Sequence, residues 1–190
     1  NLPKDLSVED ILLHSSNIGS VKIGQIIGQE KLQEFLKKIG ILSKLEFDIE
    51  EIGKPLSFRW RDCKLKTVSY GHGITTTPIQ LAKGYAILTN GGYDVKPTLI
   101  KEKFSSLEKK KILNKGVSDQ INKILRKVVT HGTATLSDVE GYEVGGKTGT
   151  AQIVENGVYT NKKINTFASV FPSSNPKYCL LYTSPSPRDS

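Results

Sequence analysis

The sequence predicts an α/β domain of the α+β type, with helices over roughly the first two thirds and an antiparallel sheet after them. Gln29–Ile39 carries apolar residues at i, i+3, i+4 and i+7, a spacing typical of one buried helix face. From residue 142 the helical spacing of apolar residues gives way to a pattern typical of strands. Tyr142–Val154 and Val158–Phe171 have the composition of strands, and Asn156-Gly157 between them favours a tight hairpin turn. We therefore expect helices that pack against a sheet.

The first helix is predicted to begin at Ser7. Its hydroxyl can cap the free N–H groups, and Glu9 and Asp10 place negative charge against the positive helix end. The helix runs through Leu13 into Ser15-Ser16-Asn17, three residues that favour turns and caps. An apolar stretch follows, so we expect these three polar residues at a junction between helices.

Three further helices have clear signals. Gly40 is placed to end the helix over Gln29–Ile39. Thr77-Pro78 is a cap followed by proline in the first turn, and the helix it opens is predicted to end at Asn90-Gly91-Gly92. A helix over about Ser118–Val129 is expected to turn three apolar residues inward: Ile121, Leu125 and Val128.

Length and charge limit the classes of function. The 190 residues suit one domain or a piece of one, and 37% hydrophobic residues with 17 glycines is the composition of a folded protein. The net charge of +8 would favour polyanions such as nucleic acid, anionic lipid headgroups or acidic wall polymers. The lysines are scattered, and the densest run, Lys109–Lys111, has no interleaved aromatic residues. We therefore predict a solvated surface there and no nucleic-acid binding.

The cysteine and histidine spacing gives no sign of a metal or cofactor site. Cys63 and Cys179 form no C-x-x-C pair, and no histidine stands at metal-ligand spacing. No apolar run is long enough for a membrane span, and the N-terminus lacks signal-peptide character. We expect no cofactor, no metal, and a soluble segment whose parent protein could be anchored through other residues.

The last residues differ in character from the rest. A third strand is predicted to begin over Lys177–Tyr182, and Thr183–Ser190 is rich in serine and proline. We expect a domain over residues 1–178 and, over 179–190, either a disordered tail or non-native residues, since the final residues resemble translated sequencing adapter. Genuine coding sequence that continues through 179–190 would refute the adapter interpretation.

Lys147-Thr148-Gly149-Thr150 is the most informative tetrapeptide. It lies in the first predicted strand, directly after Gly145-Gly146. Glycine within a strand lets another backbone come close, and a lysine with neighbouring hydroxyls can bind a carboxylate. The alternative interpretation is an exposed edge strand with a solvated lysine.

Ser15-Ser16-Asn17 has the pattern S-x-N, which is weak on its own because Ser173-Ser174-Asn175 repeats it. Only the first copy precedes a predicted helix and lies upstream of the K-T-G triplet. That order is the one found in the motif set S-x-x-K, S-x-N, K-T-G of penicillin-binding proteins and serine β-lactamases, which this sequence therefore resembles.

Further stretches sharpen the resemblance to class B penicillin-binding proteins. They are Tyr70-Gly71-His72-Gly73-Ile74 through Thr77–Ala82 to Asn90-Gly91-Gly92, then Gly132-Thr133-Ala134, and then Phe171-Pro172 through Asn175–Tyr178. The likeness extends from about Asp10 to Tyr178. It implies a penicillin-binding protein/serine β-lactamase-like transpeptidase fold, an antiparallel sheet flanked by helices, with 1–178 as part of that domain. Trp60-Arg61-Asp62 makes the sequence most similar to the division-specific septal enzyme.

The family's nucleophile is the serine of S-x-x-K, which precedes S-x-N and opens a buried helix. Ser106–Lys109 and Ser174–Lys177 match its letters but stand after S-x-N, and the second contains a proline that breaks the required helical turn. We therefore expect the nucleophile and its lysine before Asn1, and we expect the chain alone to form no covalent adduct with penicillin.

The resemblance implies roles for three catalytic residues. Ser15 is implied to relay a proton between the missing catalytic lysine and the departing amine, and Asn17 to donate its amide to the substrate's peptide carbonyl. Lys147 is implied to add positive charge beside Ser15 and near the substrate carboxylate. Ser16 is expected to point elsewhere.

The resemblance also implies a substrate-binding strand formed by Thr148, Gly149 and Thr150. The hydroxyls of Thr148 and Thr150 are implied to bind the substrate carboxylate, and the Thr150 N–H to complete an oxyanion hole. The strand itself can pair with an extended substrate.

The implied substrates are peptidoglycan stem peptides that end in D-Ala-D-Ala, and the implied inhibitors are β-lactam antibiotics. The implied setting is the cell inner membrane, with the catalytic domain on the periplasmic side. Division proteins, including a membrane glycosyltransferase, are the implied partners.

Other functions stay open at this point. A D,D-carboxypeptidase or β-lactamase-like hydrolase would use the same motifs, with water as the acceptor of the acyl group. A β-lactam sensor or divisome scaffold would keep the fold without turnover. A catalytic histidine is disfavoured, because neither His72 nor His131 has the G-x-S-x-G context of many serine hydrolases. We interpret His72 as a turn residue beside the cleft.

Overall fold

The computed structural model describes residues 5–48, 59–101, 110–155 and 158–184. Within these ranges, six α-helices precede a three-stranded antiparallel sheet, and this arrangement confirms the predicted α+β class. In chain order the elements are α1 Val8–Leu13, α2 Asn17–Ile27, α3 Gln29–Lys38, α4 Asp62–Ser69, α5 Pro78–Thr89, α6 Lys115–His131, a 3₁₀ turn Thr135–Ser137, β1 Gly145–Glu155, β2 Val158–Phe171 and β3 Tyr178–Ser184.

The sheet has the strand order β1-β2-β3. β1 pairs with β2 from Gly145 opposite Val170 to Glu155 opposite Val158, which confirms the predicted strand pair. The Asn-Gly turn itself lies outside the described residues. The register shifts between Gln152 and Val154, so the middle of β1 faces different partners than an unbroken ladder would give it.

β3 runs antiparallel to β2 over Tyr178–Ser184. The third strand predicted near Lys177–Tyr182 is therefore present. Residues 179–184 of the expected tail belong to it, and residues 185–190 lie outside the described part. The native or adapter origin of 179–190 stays a prediction.

Two helix starts follow the predicted capping chemistry. Ser7 Oγ accepts from Asp10 N at 3.1 Å, and the Asp10 carboxylate accepts from Ser7 N at the same distance. Thr77 and Gln80 form the corresponding reciprocal pair at the start of α5. These capping boxes satisfy backbone N–H groups that have no partner within the helix.

Helix ends agree less closely with the sequence. Gly40 follows α3 with φ 85°, as its C-terminal position predicts. α6 begins at Lys115, three residues before the predicted Ser118. Its N-cap residue is Asn114, whose side chain forms no capping hydrogen bond. α4 was not predicted, and it also begins without a side-chain cap. Uncapped helix starts leave little local signal in a sequence.

α6 is the element that joins the helices to the sheet. Val128, Val129 and Ala134 are buried, and Leu13 of the first helix and Phe167 of β2 pack against them. This cluster thus places α1, α6 and the sheet against one another.

Two glycines permit the close approach of these elements. A Cβ at Gly132 would lie 2.9 Å from the Leu13 carbonyl oxygen and 2.8 Å from that of Val128. A Cβ at Gly145 would lie 3.2 Å from the Arg126 backbone nitrogen. Arg126 itself donates to the Val144 carbonyl at 2.9 Å, just before β1. The distance between α1 and β1 is therefore set by backbone contacts with α6.

A second core surrounds α5. Ile39, Ile41 and Ile87 are buried together. Gln80 is fully buried beside them, and its amide donates to the carbonyls of Gly40 at 3.2 Å and Ser43 at 2.6 Å. A buried amide that satisfies several backbone groups fixes the chain segments it joins.

Gln80→Leu is expected to destabilise the fold by about 2 to 4 kcal/mol, because it removes the capping interaction and leaves the two carbonyls without their amide donor. Gln120→Ala, at an exposed position of α6, is the matched control and should change stability by less than about 0.5 kcal/mol. Urea unfolding followed by circular dichroism measures both. Equal midpoints for the two variants would contradict this account of Gln80.

Candidate active site

A cavity of about 1070 Å³ lies between the α1–α2 junction, the end of α4 and the first half of β1. We call it the groove. Its lining contains the residues predicted from the S-x-N and K-T-G motifs, namely Ser15, Asn17, Lys147, Thr148, Gly149 and Thr150. The structure thus brings together two motifs that are far apart in the sequence.

Ser15 occupies the turn that ends α1. Its φ of 53° lies in the left-handed region, which is unfavourable for a residue with a Cβ. The turn is closed by hydrogen bonds from Ser16 N to Ile11 O at 2.9 Å and from Ser15 N to Leu12 O at 3.4 Å. This is the Schellman pattern, in which glycine usually takes the left-handed position. Here the position holds a hydroxyl that faces the groove.

Ser16 and Asn17, which follow Ser15, have different structural roles. Ser16 Oγ accepts from Gly19 N at 3.2 Å and caps α2, which confirms that Ser16 points away from the groove. Asn17 is the first residue of α2, and its side chain is exposed at the groove. The α1–α2 junction therefore presents one hydroxyl and one amide to the same space.

Lys147 reaches this junction from β1. Its ammonium donates a hydrogen bond to Ser15 Oγ and a second one, 2.9 Å long, to the Thr148 carbonyl. Partial burial lowers the pKa of Lys147 below its ordinary value of 10.5, because water no longer fully solvates the charge. The groove thus holds an incompletely solvated cation beside a hydroxyl.

The hydroxyls of β1 have different partners. Thr148 Oγ1 lies 2.8 Å from Thr133 Oγ1, and either oxygen can be the donor. Thr150 Oγ1 donates to Asn165 Oδ1 at 2.9 Å across the β1–β2 pair. Gly149 is exposed between them, and a Cβ there would meet no atom within 4 Å. The strand surface at Gly149 is therefore open to a ligand backbone.

β1 is an outer strand of the described sheet, and β2 pairs with it on one side. An outer strand carries backbone N–H and C=O groups that another extended chain can pair with. Because the groove lies against β1, an extended peptide in the groove can add to the sheet there.

The lining of the groove favours an anion. Among the described residues that line it, Lys147 is the charged side chain, and no carboxylate is present. A carboxylate ligand would therefore meet a cation and several hydroxyls without a competing negative charge.

The second S-x-N pattern lies apart from the groove. Ser173–Asn175 forms a turn after Phe171-Pro172, and Ser174 hydrogen bonds to the Glu143 carboxylate. Ser174 lines a smaller cavity of about 340 Å³. Ser173 is buried and its N–H donates to the Glu143 carbonyl at 2.7 Å, so this copy has structural partners away from the groove.

His72 and His131 lie in different parts of the structure. His72 lines the groove and stacks on Tyr70 with the ring centroids 5.9 Å apart. His131 ends α6, is exposed, and shares a hydrogen bond of 2.7 Å with Thr130. The interpretation of His72 as a turn residue beside the cleft agrees with this position.

Several groove residues were missed from the sequence. Thr133 was noted only as part of a motif, yet its hydroxyl contacts Thr148. The others are Ser20, Thr67, Ser69 and Gln152. Helical spacing from Asn17 could have indicated Ser20, whereas Thr67 and Ser69 belong to the helix that was not predicted.

Neither a metal site nor a membrane helix is found within the described ranges. Their acidic, histidine and cysteine side chains form no group that could hold a metal ion. None of the helices in those ranges combines the length and apolar character needed to cross a bilayer.

Comparisons with curated proteins place these features in a family. Stage V sporulation protein D of Bacillus subtilis is 32% identical over 194 residues, covering 94% of this chain and 30% of that protein. The peptidoglycan D,D-transpeptidase FtsI homolog of Mesostigma viride is 31% identical, covering 93% of this chain and 35% of the relative. The chain thus spans about a third of the length of these relatives.

Solved structures of penicillin-binding proteins have a similar fold. The transpeptidase domain of Burkholderia pseudomallei penicillin-binding protein 3 superposes with a TM-score of 0.86 at 25% identity, covering 94% of this chain and 56% of the other. Penicillin-binding protein 3 of Mycobacterium tuberculosis, in complex with aztreonam, shares the fold with a TM-score of 0.85 at 24% identity, covering 93% and 44%. A model of the penicillin-binding protein transpeptidase domain matches residues 1–189. The groove, the fold and these matches together show that the chain belongs to the penicillin-binding protein transpeptidase domain family.

Proposed function

We propose that this chain forms the substrate-binding part of a serine D,D-transpeptidase that cross-links the stem peptides of peptidoglycan. The observation that carries the proposal is the hydrogen bond from Lys147 to Ser15 across the groove. It joins the S-x-N and K-T-G motifs in one site, and the family in which these motifs act together is the one to which the chain belongs.

The substrate's C-terminal carboxylate is proposed to bind beside Lys147, against the hydroxyl surface of β1. The partly buried ammonium supplies charge, and the lack of a carboxylate in the described lining leaves that charge available. A charge-assisted hydrogen bond in such a site contributes about 1.5 to 3 kcal/mol. The open surface at Gly149 then admits the peptide backbone along β1.

Ser15 and Asn17 are proposed to act on the other side of the scissile bond. Ser15, in contact with the Lys147 ammonium, can pass a proton toward the departing amine. Asn17 lines the same groove and can donate its amide to the peptide carbonyl of the substrate. The left-handed turn at Ser15 places its hydroxyl between the two helices and the strand.

The chemistry that this site would serve proceeds in two steps. A serine hydroxyl attacks the penultimate D-Ala carbonyl, its proton passes to the nitrogen of the terminal D-alanine, and that residue leaves as the amide bond breaks. An amine of a neighbouring stem peptide then attacks the acyl ester, forming the cross-link and regenerating the serine. The serine of S-x-x-K is proposed to come from the parent protein upstream of Asn1.

β-Lactams are proposed as inhibitors, because their ring amide and carboxylate can occupy the positions of the scissile bond and the terminal carboxylate. Stem peptides on the periplasmic side of the inner membrane are the proposed substrates. A septal role, with division proteins including a membrane glycosyltransferase as partners, is proposed from the likeness at Trp60-Arg61-Asp62 to the division-specific enzyme.

The test joins this chain to the upstream residues of its parent protein and measures acylation by a labelled penicillin. The joined protein should form an acyl adduct, and the chain alone should form none. Lys147→Met should slow acylation about a hundredfold, because the cation beside the carboxylate and the proton relay is lost. Lys123→Met removes an exposed lysine of α6 and should leave the rate unchanged.

Ser15→Gly separates the chemistry of the hydroxyl from the fold. Glycine accepts the left-handed φ, so the turn should keep its stability, whereas acylation should slow because the relay hydroxyl is gone. A stem-peptide substrate with an added acceptor amine then distinguishes transfer from hydrolysis. Rapid acylation in both Lys147→Met and Ser15→Gly, or the hydrolysed acid as the sole product, would contradict the proposed transpeptidase.

The affinity for a carboxylate ligand should depend on the charge of Lys147. Burial lowers the pKa of Lys147, so the ammonium is fully charged below that pKa and is lost as the pH rises through it. Binding of N-acetyl-D-Ala-D-Ala should therefore begin to weaken at a lower pH than it would if this lysine were fully solvated. Lys147→Arg should remove this decline, because the guanidinium stays charged. Calorimetric titration measures both proteins, and identical pH profiles would contradict the assignment.

A further inference from the structure

The two hydroxyls of the K-T-G-T strand are not equivalent in this chain. The Thr150 hydroxyl has one proton, and it donates that proton to Asn165 Oδ1 at 2.9 Å. Toward the groove, Thr150 then presents oxygen lone pairs. Lone pairs repel a carboxylate and accept from an N–H group.

The Thr148 hydroxyl, in contrast, is not required to donate to its partner. Its partner is a second hydroxyl, Thr133 Oγ1 at 2.8 Å, and either oxygen can donate. If Thr133 donates, the proton of Thr148 stays available for a ligand oxygen. Thr148 can therefore bind a carboxylate while it keeps its hydrogen bond, whereas Thr150 would have to break its own.

Asn165 reaches Thr150 because of the irregularity in the hairpin. Near the turn, Glu155 pairs with Val158, and continuing that ladder unbroken would place Lys163 opposite Thr150. The register shift between Gln152 and Val154 places Asn165 there instead. An amide thus stands where an unshifted hairpin would bring a cation.

We propose that Asn165 is a positioning residue that holds the Thr150 proton away from the groove, so that Thr148 and Lys147 bind the substrate carboxylate and Thr150 serves as an acceptor. This inference rests on the proposed function, since it concerns the carboxylate site of the same groove. Under this proposal, Asn165 of β2, which belongs to neither motif, influences which ligands the groove binds.

The test is a binding series with N-acetyl-D-Ala-D-Ala and its C-terminal amide, followed by NMR titration of the chain. Asn165→Ala should raise the affinity for the acid by about three- to tenfold, because the freed Thr150 hydroxyl can donate to the carboxylate. The affinity for the amide should stay unchanged. In a Thr150→Val background, Asn165→Ala should have no effect on either ligand.

Thr148→Val and Thr150→Val separate this inference from the proposed function. Thr148→Val should weaken binding of the acid more than Thr150→Val does. If Thr148→Val and Lys147→Met both leave binding of the acid unchanged, the carboxylate site itself is wrong. If they weaken it, but Asn165→Ala lowers the affinity or leaves it unaltered, the site stands and the role of Asn165 is overturned.

Discussion

The hydrogen bond between Lys147 and Ser15 depends on how far α1 stands from β1, and α6 sets that distance. α6 lies between them, with its buried Val128 and Val129 packed against Leu13 and Phe167. Close packing of this kind tolerates little change in volume. A Cβ at Gly132 would collide with backbone atoms, and one at Gly145 would be tightly crowded by the α6 backbone, so main-chain contact limits the separation. The site is thus a consequence of helix packing that occurs outside the groove.

The same arrangement determines the electrostatics of the groove. A lysine on an exposed strand would be fully solvated and would hold an anion weakly, because water screens the charge. Lys147 is partly buried and has Ser15 and the Thr148 carbonyl as hydrogen-bond acceptors. Burial costs solvation free energy, but it strengthens the attraction to a carboxylate that enters the groove. In the proposed site, a bound carboxylate would offset part of the solvation free energy that burial of this cation costs.

Local chemistry made part of this structure predictable from the sequence. The caps at Ser7 and Thr77 and the stop at Gly40 act within one helical turn, so their residue types reveal them directly. The junction at Ser15-Ser16-Asn17 and the strand that holds Lys147 were likewise found where the patterns indicated. That these two motifs would meet in one groove was predicted from their order in the chain and from the family resemblance. The residues of either motif alone do not predict it.

Other features depend on tertiary contacts and left no local signal. The left-handed conformation at Ser15 occupies a position where glycine is usual, so residue preference alone would have argued against it. α4 begins without a side-chain cap. The pairing of Thr150 with Asn165 depends on a register shift within the hairpin, and counting residues back from the Asn-Gly turn gives the wrong partner.

A crystal structure of the chain with bound N-acetyl-D-Ala-D-Ala tests the central claim most directly. The account predicts the peptide extended along β1, its terminal carboxylate within hydrogen-bond distance of Lys147 Nζ and Thr148 Oγ1, and its amide facing Ser15 and Asn17. A peptide bound elsewhere, or a Lys147 side chain turned away from Ser15 with the carboxylate held by other residues, would contradict it.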